Sequence, residues 1–310
     1  MKTPKKQRIE IVSVYQFVLT FLFMGLFFSL LFFFLFFTSF WFLSVLYLVW
    51  LFLDWDTPDR GGRRFEWLVK TAELSPDKNY VLGSHPHGIM CAGSFCNFAT
   101  ESNGFSRQFP GIRPFLAGLA GLFRIPVYRD YLMSCGLCPV SRQSLDFVLS
   151  GPQRGQAVVI LVGGANESLH GVPGEHCLTL LKRQGFVRLA LRHGASLVPV
   201  YSFGENEIFT QASFGIGSWQ RTLQAAFKKF TGFAPCIFWG RGLLFRWGLL
   251  PFPVPITTVV GCPIPVPYRP NPSQEEVDWY HKIYMEALEQ MFEEHKESCG
   301  VSPSTHLRFI

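Results

Sequence analysis

An uncharged segment of 43 residues constrains the fold more than any other feature of this chain. It runs from residue 11 to residue 53 and holds 13 of the 33 phenylalanines. Since a bilayer core of roughly 30 Å takes about 20 helical residues, the segment is long enough to enter a membrane. The charged residues all lie elsewhere, at a density typical of a globular domain. This division excludes a plain soluble enzyme, a disordered chain and a transporter with many spans.

The length of the apolar segment favours two membrane crossings over one, with a turn near Thr38 and Ser39. Basic residues flank the segment on both sides: Lys2, Lys5, Lys6 and Arg8 before it, and Arg60, Arg63 and Arg64 after it. Positive flanks mark the cytosolic side, so both ends are expected in the cytosol. We therefore predict an N-terminal transmembrane helical hairpin. One long tilted or re-entrant helix is the alternative.

Four parts follow from this division. They are a cytosolic basic N-terminus (1–10), the transmembrane hairpin (11–53), a linker (54–78) and a cytosol-facing catalytic domain (79–310). The net charge of +6 is modest, and no long basic run follows residue 10, so no nucleic-acid partner is predicted.

The eight cysteines are scattered, with one close pair at Cys135 and Cys138. Reduced thiols facing the cytosol fit this spacing better than a disulfide framework. No second pair is present to complete four zinc ligands, so no metal site is predicted there.

Short apolar runs alternate with helical patterns from residue 79 onward. The strand candidates are 79–83, 124–128, 157–162, 196–203, 235–239 and 255–260. The helix candidates are 89–100, 144–149 and 178–193, the last closed by Gly194. Alternation of this kind predicts an α/β fold, a sheet with crossover helices.

Two further stretches near the C-terminus are distinctive. Apolar residues from Val277 to Met291 recur at spacings of three and four, which predicts a packing helix that starts near Ser273. The stretch 239–267 is rich in proline, glycine and aromatic residues and has no acidic residue. It fits partial membrane contact or a buried core.

The most informative stretch, residues 83–88, has the sequence GSHPHG and lies between a predicted strand and a predicted helix. Active sites of α/β proteins lie beyond the carboxyl ends of strands. Two histidines beside a helix N-terminus are held mostly neutral, and a neutral imidazole can act as a general base. A turn with two hydrogen-bonded histidines and a metal site are the alternatives, although no further ligand motif supports a metal.

Residues 85–88, HPHG, resemble the signature tetrapeptide of the diacylglycerol acyltransferase type 2 family. The resemblance covers nearly all of residues 79–300. Its other motifs, in order, are PVYRD at 126–130, VSR at 140–142, VGGA at 162–165, RQGF at 183–186 and PVYSFGEN at 199–206. The ordered set is far more specific than any one motif. Within the family, the tail from residue 292 to residue 310 is most similar to monoacylglycerol acyltransferases.

The resemblance implies a glycerolipid-acyltransferase-like sheet anchored in the endoplasmic reticulum membrane, multi-pass, with its catalytic side toward the cytosol. The implied reaction is an acyl-CoA-dependent O-acyl transfer that converts 2-monoacylglycerol to diacylglycerol. Acyl-CoA is then a co-substrate, and no cofactor and no metal ion are expected. The implied partners are acyl-CoA, monoacylglycerol and the lipid bilayer, with homo-oligomers or hetero-oligomers with other acyltransferases as a further option.

Such a transfer needs a base for the acceptor hydroxyl, an orienting carboxylate and oxyanion donors, because the thioester is already activated. The resemblance favours His87 as the base, with His85 beside it. Glu167 follows a predicted strand and a glycine turn, and it is our candidate for the orienting carboxylate, with Glu205 as the alternate. Cys91 lies four residues after His87, but a thioester donor makes an acyl-enzyme unnecessary, so direct transfer is preferred.

The remaining candidates concern anion and substrate binding. Glycine permits close backbone approach, so oxyanion donors are expected near Gly88, Gly163 and Gly164. The residues assigned to acyl-CoA or substrate binding are Arg142, Arg183, Glu205 and Asn206, the arginines because their planar side chains suit phosphate. For Arg183, and for the neighbouring Lys182 and Arg188, a solvated helix face is the competing interpretation.

The sequence departs from the family between residues 64 and 68, where members usually carry a longer linker. This shortening makes a catalytically inactive lipid-binding isoform a rival hypothesis. A diacylglycerol or long-chain-alcohol acyltransferase is another, since one methylene shifts binding by only about 1–3 kcal/mol. A membrane-bound hydrolase is disfavoured because the chain has no G-x-S-x-G motif.

Overall fold

The computed structural model describes residues 15–53, 55, 59, 74–101, 103–169, 171–212, 214–215, 217–242 and 247–310. Most of the predicted linker at 54–78, including all of residues 60–73, lies outside the described residues, as do the basic residues on both sides of the apolar segment.

The helices and strands follow one another along the chain as follows. The helices are α1 (Tyr15–Phe36), α2 (Trp41–Leu53), α3 (Ala92–Ser94), α4 (Phe105–Gln108), α5 (Tyr128–Ser134), α6 (Arg142–Ser150), α7 (Gly164–Ser168), α8 (Gly185–His193), α9 (Trp219–Thr231) and α10 (Gln274–His295). The strands are β1 (Tyr80–His85), β2 (Arg113–Gly118), β3 (Leu137–Pro139), β4 (Gln156–Leu161), β5 (Cys177–Leu178), β6 (Ser196–Phe203), β7 (Thr210–Gln211), β8 (Phe238–Trp239), β9 (Thr257–Val260) and β10 (Arg308–Phe309).

Six strands form the central sheet in the order β3-β2-β4-β1-β6-β9. The first five are parallel to one another, and β9 runs antiparallel to β6 at the edge. All residues of β1 and β6 are buried, because helices cover both faces of a parallel sheet. The predicted α/β class is confirmed, with one antiparallel strand added.

Alternate residues of β1 pack into two separate hydrophobic cores, one on each face of the sheet. Val81 packs on one face with residues of α6, α8 and α10, whereas Tyr80 and Leu82 pack on the other face with residues of α5. Each fully buried leucine or valine contributes about 1.5–3 kcal/mol through removal from water. Burial on both faces explains why β4 and most of β6 are apolar runs without alternation.

Several predicted elements were wrong in type or extent. Residues 124–128 form no strand: a 3₁₀ helix ends at Arg124 and α5 begins at Tyr128, and Pro126 between them has no N–H for a strand ladder. The strands on this side of the sheet, β2 with six residues and the edge strand β3 with three, were missed.

Three other boundaries also differ from the prediction. The helix expected over 178–193 begins only at Gly185, because Leu178 pairs with the C-terminal strand β10. The helix expected over 89–100 is reduced to α3 and a π-helical turn at Phe95–Ala99. The strand expected over 235–239 is reduced to β8.

The C-terminal helix α10 agrees with its prediction. Ser273 caps it, and a reciprocal bond between Ser273 and Glu276 completes a capping box. Tyr284 and Leu288 on its inner face are fully buried against the sheet. This helix therefore brings a tyrosine hydroxyl to the end of β1.

The N-terminal apolar segment forms α1 and α2, joined by a turn at residues 37–40. Ser44 Oγ donates a hydrogen bond to the Phe32 carbonyl over 3.1 Å, so α2 folds back along α1. Among the described residues, α1 alone is long and apolar enough to cross a membrane, and α2 is shorter. Two crossings therefore stay a prediction.

Candidate active site

Three neighbouring strands bring the candidate residues together. β1 ends at His85, and the strands on its two sides, β4 and β6, are followed by the helix α7, which carries Glu167, and by the turn that carries Glu205. Because these strands are parallel, their carboxyl ends meet at one edge of the sheet. The predicted location of the site at the end of β1 is therefore where these side chains converge.

His87 has a defined tautomer in its neutral form. Its Nδ1 lies 2.8 Å from the Gly88 carbonyl oxygen, which can only accept, so Nδ1 carries the proton. Nε2 then keeps a lone pair. Burial lowers the pKa of His87, with the bond to Gly88 acting in the opposite direction. A neutral imidazole with a basic Nε2 is what proton abstraction from a hydroxyl requires.

Glu167 is buried and binds main-chain N–H groups rather than an imidazole. Its Oε1 accepts from the His87 N–H over 2.6 Å, and its Oε2 accepts from the Thr179 N–H over 2.8 Å. Burial raises the pKa of Glu167 to about 7, although those two N–H groups and the charge of Arg183 lower it. The carboxylate therefore fixes the backbone position of His87, while the Gly88 carbonyl orients the ring.

Glu205 binds the other end of the segment that begins at His87. Its two carboxylate oxygens accept from the N–H groups of Ala92, over 2.8 Å, and Gly93, over 2.7 Å, at the start of α3. Burial raises the pKa of Glu205 to about 8, against the effect of the two N–H groups. Residues 87–93 are thus held at both ends by buried carboxyl groups.

His85 faces the protein interior. The Tyr284 hydroxyl donates to the Gly83 carbonyl over 2.9 Å, so it accepts from His85 Nε2, which lies 3.1 Å away. The other ring nitrogen, Nδ1, is buried without a hydrogen-bond partner among the described residues. Burial lowers the pKa of His85 to about 3. His85 therefore stays neutral and ties β1 to α10.

Cys91 is the nearest nucleophile to His87. Its Sγ lies 3.5 Å from Nδ1 and 3.7 Å from Nε2 of the ring. Its backbone has a φ of 53°, which is uncommon for a residue with a side chain. Burial raises the pKa of the Cys91 thiol well above its ordinary value, and the charges of Glu205 and Glu167 add to this. The resting thiol is therefore protonated.

Two glycines make room for the two carboxylates. A Cβ at Gly163 would collide with the carboxylate of Glu167. A Cβ at Gly88, whose φ is +59°, would lie 2.6 Å from Cγ of Glu205. Gly164, by contrast, has open space beside it and lines the cavity described below.

The predicted substrate-binding residues are dispersed. Arg142 is largely exposed and lies 3.7 Å from Asp146, which also binds Arg192 and His193. Arg183 lies closer to the site, since its Nη2 is 3.5 Å from the Gly163 carbonyl oxygen.

Asn206 lies beside Glu205 but at the edge of the site. Its amide donates to the Glu175 carbonyl over 3.3 Å, whereas its buried Oδ1 has no partner among the described residues. Lys182 is exposed in the turn before α8, so it does not lie on a helix face as expected, whereas Arg188 lies on α8 and donates to Gln274 over 2.7 Å.

An apolar cavity of about 220 Å³ reaches from α1 to His87. Its walls include Phe17, Thr20 and Phe21 of α1, Tyr128, Tyr131 and Leu132 of α5, Gly164 and Ala165 of α7, and Gly232, Phe233 and Ala234 after α9. None of the described residues that line it is an acidic residue, a lysine or an arginine. Such a lining suits a hydrocarbon chain far better than a polar metabolite.

Sequence reasoning missed three contributors to this site. Tyr284 was assigned to packing alone, although it is a hydroxyl on an otherwise apolar helix face, a pattern that signals a buried hydrogen bond. Thr179 contributes only its main-chain N–H, for which no sequence signal exists. The role of α1 as a cavity wall is a tertiary contact that apolar composition does not reveal. In the described part of the chain, no group of three or more His, Cys, Asp or Glu is placed to hold a metal ion.

Comparisons with known proteins agree with the motif resemblance. The family described as diacylglycerol acyltransferase matches residues 33–310. The human protein named 2-acylglycerol O-acyltransferase 3 is 69% identical, over 100% of this chain and 96% of its own length. The proteins named diacylglycerol O-acyltransferase 2 from Homo sapiens and Danio rerio are 50% and 51% identical, over 97% of this chain and 82% and 89% of their own lengths. No solved structure gives a significant match. The chain therefore belongs to the diacylglycerol acyltransferase family and is an acyltransferase.

Proposed function

We propose that this chain transfers the acyl group of acyl-CoA to 2-monoacylglycerol and forms diacylglycerol in the endoplasmic reticulum membrane. The observation that carries the proposal is the apolar cavity that reaches from α1 to the imidazole of His87. A lipid chain in this cavity gains about 0.8 kcal/mol for each buried methylene. The cavity thus supports a lipid substrate, and His87 supports chemistry at its polar end.

His87 acts as the general base in this proposal. Nε2 takes the proton of the acceptor hydroxyl as its oxygen attacks the thioester carbonyl carbon. The carbon–sulfur bond then breaks, and the departing CoA sulfur takes the proton from the imidazolium. Because Nδ1 is held by the Gly88 carbonyl, Nε2 keeps its direction throughout. A positioned base of this kind contributes typically about 10²–10⁴-fold.

Backbone N–H groups serve as oxyanion donors. Gly164 lines the cavity and has open space beside it, so its N–H is our first candidate, with the neighbouring Gly163 as the second. Loss of one such donor typically costs about 10²–10³-fold in turnover. Glu167 and Glu205 act as positioning residues that hold the loop of His87, and His85 supports the same loop from the interior.

Relatives favour monoacylglycerol as the acceptor without excluding other alcohols. The relative with 69% identity is named for a 2-acylglycerol acceptor, whereas those near 50% are named for diacylglycerol. Arg183, close to Gly163, is our candidate for the CoA phosphates, and Arg142 and Asn206 lie further out. A cytosolic catalytic side, two membrane crossings and oligomers with other acyltransferases are parts of the same proposal.

The shortened linker makes an inactive lipid-binding isoform the second candidate function. The alignment with the human relative named 2-acylglycerol O-acyltransferase 3 runs over 328 positions against the 310 residues of this chain. That relative thus has residues that this chain lacks, which is expected if the linker of this chain is shorter.

The test uses membranes from cells that express the full chain and its His87→Ala variant. Labelled acyl-CoA is supplied with 2-monoacylglycerol, diacylglycerol or a long-chain alcohol, and the products are separated. We expect diacylglycerol as the main product and its loss in the variant by at least about 100-fold. Triacylglycerol or a wax ester as the main product would change the acceptor and keep the mechanism. No product from a well-expressed, membrane-inserted chain would identify the inactive isoform.

A further inference from the structure

Helix α9 presents an apolar face to the outside of the protein. It begins after the capping residue Ser218 and ends before Gly232. Large apolar residues recur along it at spacings of four, four and three, which places them on one side of a helix. These are Trp219, Leu223, Phe227 and Phe230, with exposed fractions of 72%, 62%, 47% and 92%.

The polar side of α9 faces the protein. Arg221 donates to the Phe214 carbonyl over 3.3 Å, and Gln224 donates to the Pro235 carbonyl over 2.9 Å. Lys228 donates to the amide oxygen of Asn166, beside Glu167. A surface helix of a soluble domain has the reverse arrangement, with its apolar side on the core. The outer side of α9 therefore calls for an apolar partner.

The segments that follow α9 add to its exposed apolar residues. Phe233, Ile237, Trp239 and Trp247 have exposed fractions of 43%, 57%, 39% and 73%. Exposed apolar side chains in this number mark a surface that contacts a membrane or a protein. The aromatic-rich stretch predicted to contact the membrane begins at Trp239, so α9 extends that prediction toward the N-terminus.

The position of α9 relative to α1 identifies the partner as lipid. Gly232, Phe233 and Ala234, directly after α9, line the same cavity as Phe17 and Phe21 of α1. The C-terminal end of α9 thus lies near a helix that is apolar enough to cross a membrane. Tryptophan and phenylalanine on one side of a helix with lysine and arginine on the other are typical of helices that lie in a bilayer interface.

We propose that α9 lies in the interface of the bilayer that α1 enters, with its apolar face among the acyl chains. The cavity then opens toward that leaflet between α1 and the end of α9. Lipid acceptors reach His87 by lateral movement from the leaflet, and acyl-CoA comes from the aqueous side. This inference rests on membrane association and does not require the proposed reaction.

Quenching of tryptophan fluorescence by brominated lipid tests the position of α9 without any activity. The full chain is placed as a single copy in nanodiscs of brominated or ordinary phosphatidylcholine. Trp219→Phe is compared with Trp279→Phe, since Trp279 on α10 is also exposed, at 62%. We expect the quenched share of the emission to fall in Trp219→Phe and to rise in Trp279→Phe. An unchanged or larger quenched share in Trp219→Phe would overturn the proposal and point to a protein partner.

Steady-state kinetics provide a second test of the position of α9. The double variant Leu223→Ser/Phe230→Ser is compared with Phe147→Ser/Trp279→Ser, which removes exposed apolar residues elsewhere. We expect the KM for the bilayer-dissolved acceptor to rise at least about threefold in the first variant only, with the KM for acyl-CoA unchanged. Equal effects of the two variants on the acceptor KM would contradict a role of α9 in lipid access. An inactive wild-type chain with quenchable Trp219 would sink the proposed function and leave this inference standing.

Discussion

Glu167 and Glu205 follow the two strands that flank β1. Both accept hydrogen bonds from main-chain N–H groups, but the groups that they bind belong to different parts of the chain. Each is buried, each accepts hydrogen bonds from two main-chain N–H groups, and each packs against a glycine that has no room for a Cβ. Glu205 binds two adjacent residues and so stabilises the start of one helix. Glu167 binds His87 and Thr179, which are far apart in sequence, and so joins two segments. Catalysis should therefore depend on Glu167 more than on Glu205, whereas stability should depend on both.

The largest effect is expected from the glycine beside Glu167. In Gly163→Ala the new Cβ collides with the carboxylate, which must move and release His87. A displacement of about 1 Å near the reacting atoms costs about 10²-fold, so turnover should fall by at least that factor. Turnover and thermal midpoint are measured in detergent or nanodiscs. Gly185→Ala is the control, because a Cβ there meets nothing within 4 Å. Full activity of Gly163→Ala would show that the carboxylate is not fixed as the structure has it.

The amide variants of the two carboxylates come next. In Glu167→Gln and in Glu205→Gln, the NH₂ group faces an N–H donor, so one buried bond is lost at a cost of about 1–3 kcal/mol. Both variants should unfold at lower temperature while remaining in the membrane.

The two amide variants should differ in activity. Turnover should fall about tenfold in Glu167→Gln, a change of about 1.4 kcal/mol in the barrier, and much less in Glu205→Gln. Equal losses of turnover would remove the distinction between the two carboxylates. Unchanged turnover in Glu167→Gln would remove its role in positioning His87.

The pH dependence of stability separates the same two groups. A carboxyl group whose pKa is raised by folding stabilises the protein below its unfolded pKa, and this contribution is lost as the pH rises through the folded pKa. For Glu167 that loss runs from the unfolded pKa of about 4.5 up to about 7, and for Glu205 from about 4.5 up to about 8. The thermal midpoint should therefore fall between pH 6.5 and pH 8 and level off above pH 8, and the fall should be steeper in the wild type than in either glutamine variant. The lowered pKa of His85 works at the acidic end, where stability falls below about pH 6.5. A thermal midpoint that is flat from pH 6.5 to pH 8 would contradict this assignment.

The smallest effect is expected at Cys91, which lies between the two carboxylate-held ends of the loop. Its positive φ suits glycine, so Cys91→Gly should stabilise the protein by about 1 kcal/mol. If transfer is direct, turnover should change little. Mass spectrometry of the wild type incubated with acyl-CoA alone should find no acyl group on Cys91. An acylated Cys91 that is consumed when acceptor is added would replace the direct mechanism by an acyl-enzyme.

Much of this architecture could be predicted from hydrophobic periodicity and from the order of the motifs. The α/β class, the three central strands and α10 could be predicted because continuous apolar runs and a capping residue are local signals. The segment HPHG, the Glu167 loop and the Glu205 loop were found by their positions after strands. Their convergence follows from parallel pairing of β4, β1 and β6.

Other features depend on tertiary contacts and escaped prediction. Strand β2 has a proline and a glycine among its six residues, which are weak strand signals, and it pairs with β4 and β3 in the sheet. Glu167 was expected to orient the imidazole, but the ring bonds to the Gly88 carbonyl and the carboxylate takes the main-chain N–H instead. Residue types do not reveal which of two nearby acceptors a donor chooses. Helix α9 was missed although its apolar residues recur at helical spacing, and the outward direction of that apolar face is set by tertiary contacts.

The apolar helices at the N-terminus are more than an attachment. Phe17, Thr20 and Phe21 form part of the cavity wall, and the Tyr47 hydroxyl accepts the Val127 N–H over 2.8 Å, next to the start of α5. Exchange of these helices for an unrelated apolar pair would therefore change the shape of the cavity. A version of the chain without α1 and α2 would lack part of the cavity wall. The same helices thus give this chain much of its exposed apolar surface and part of the wall of its cavity.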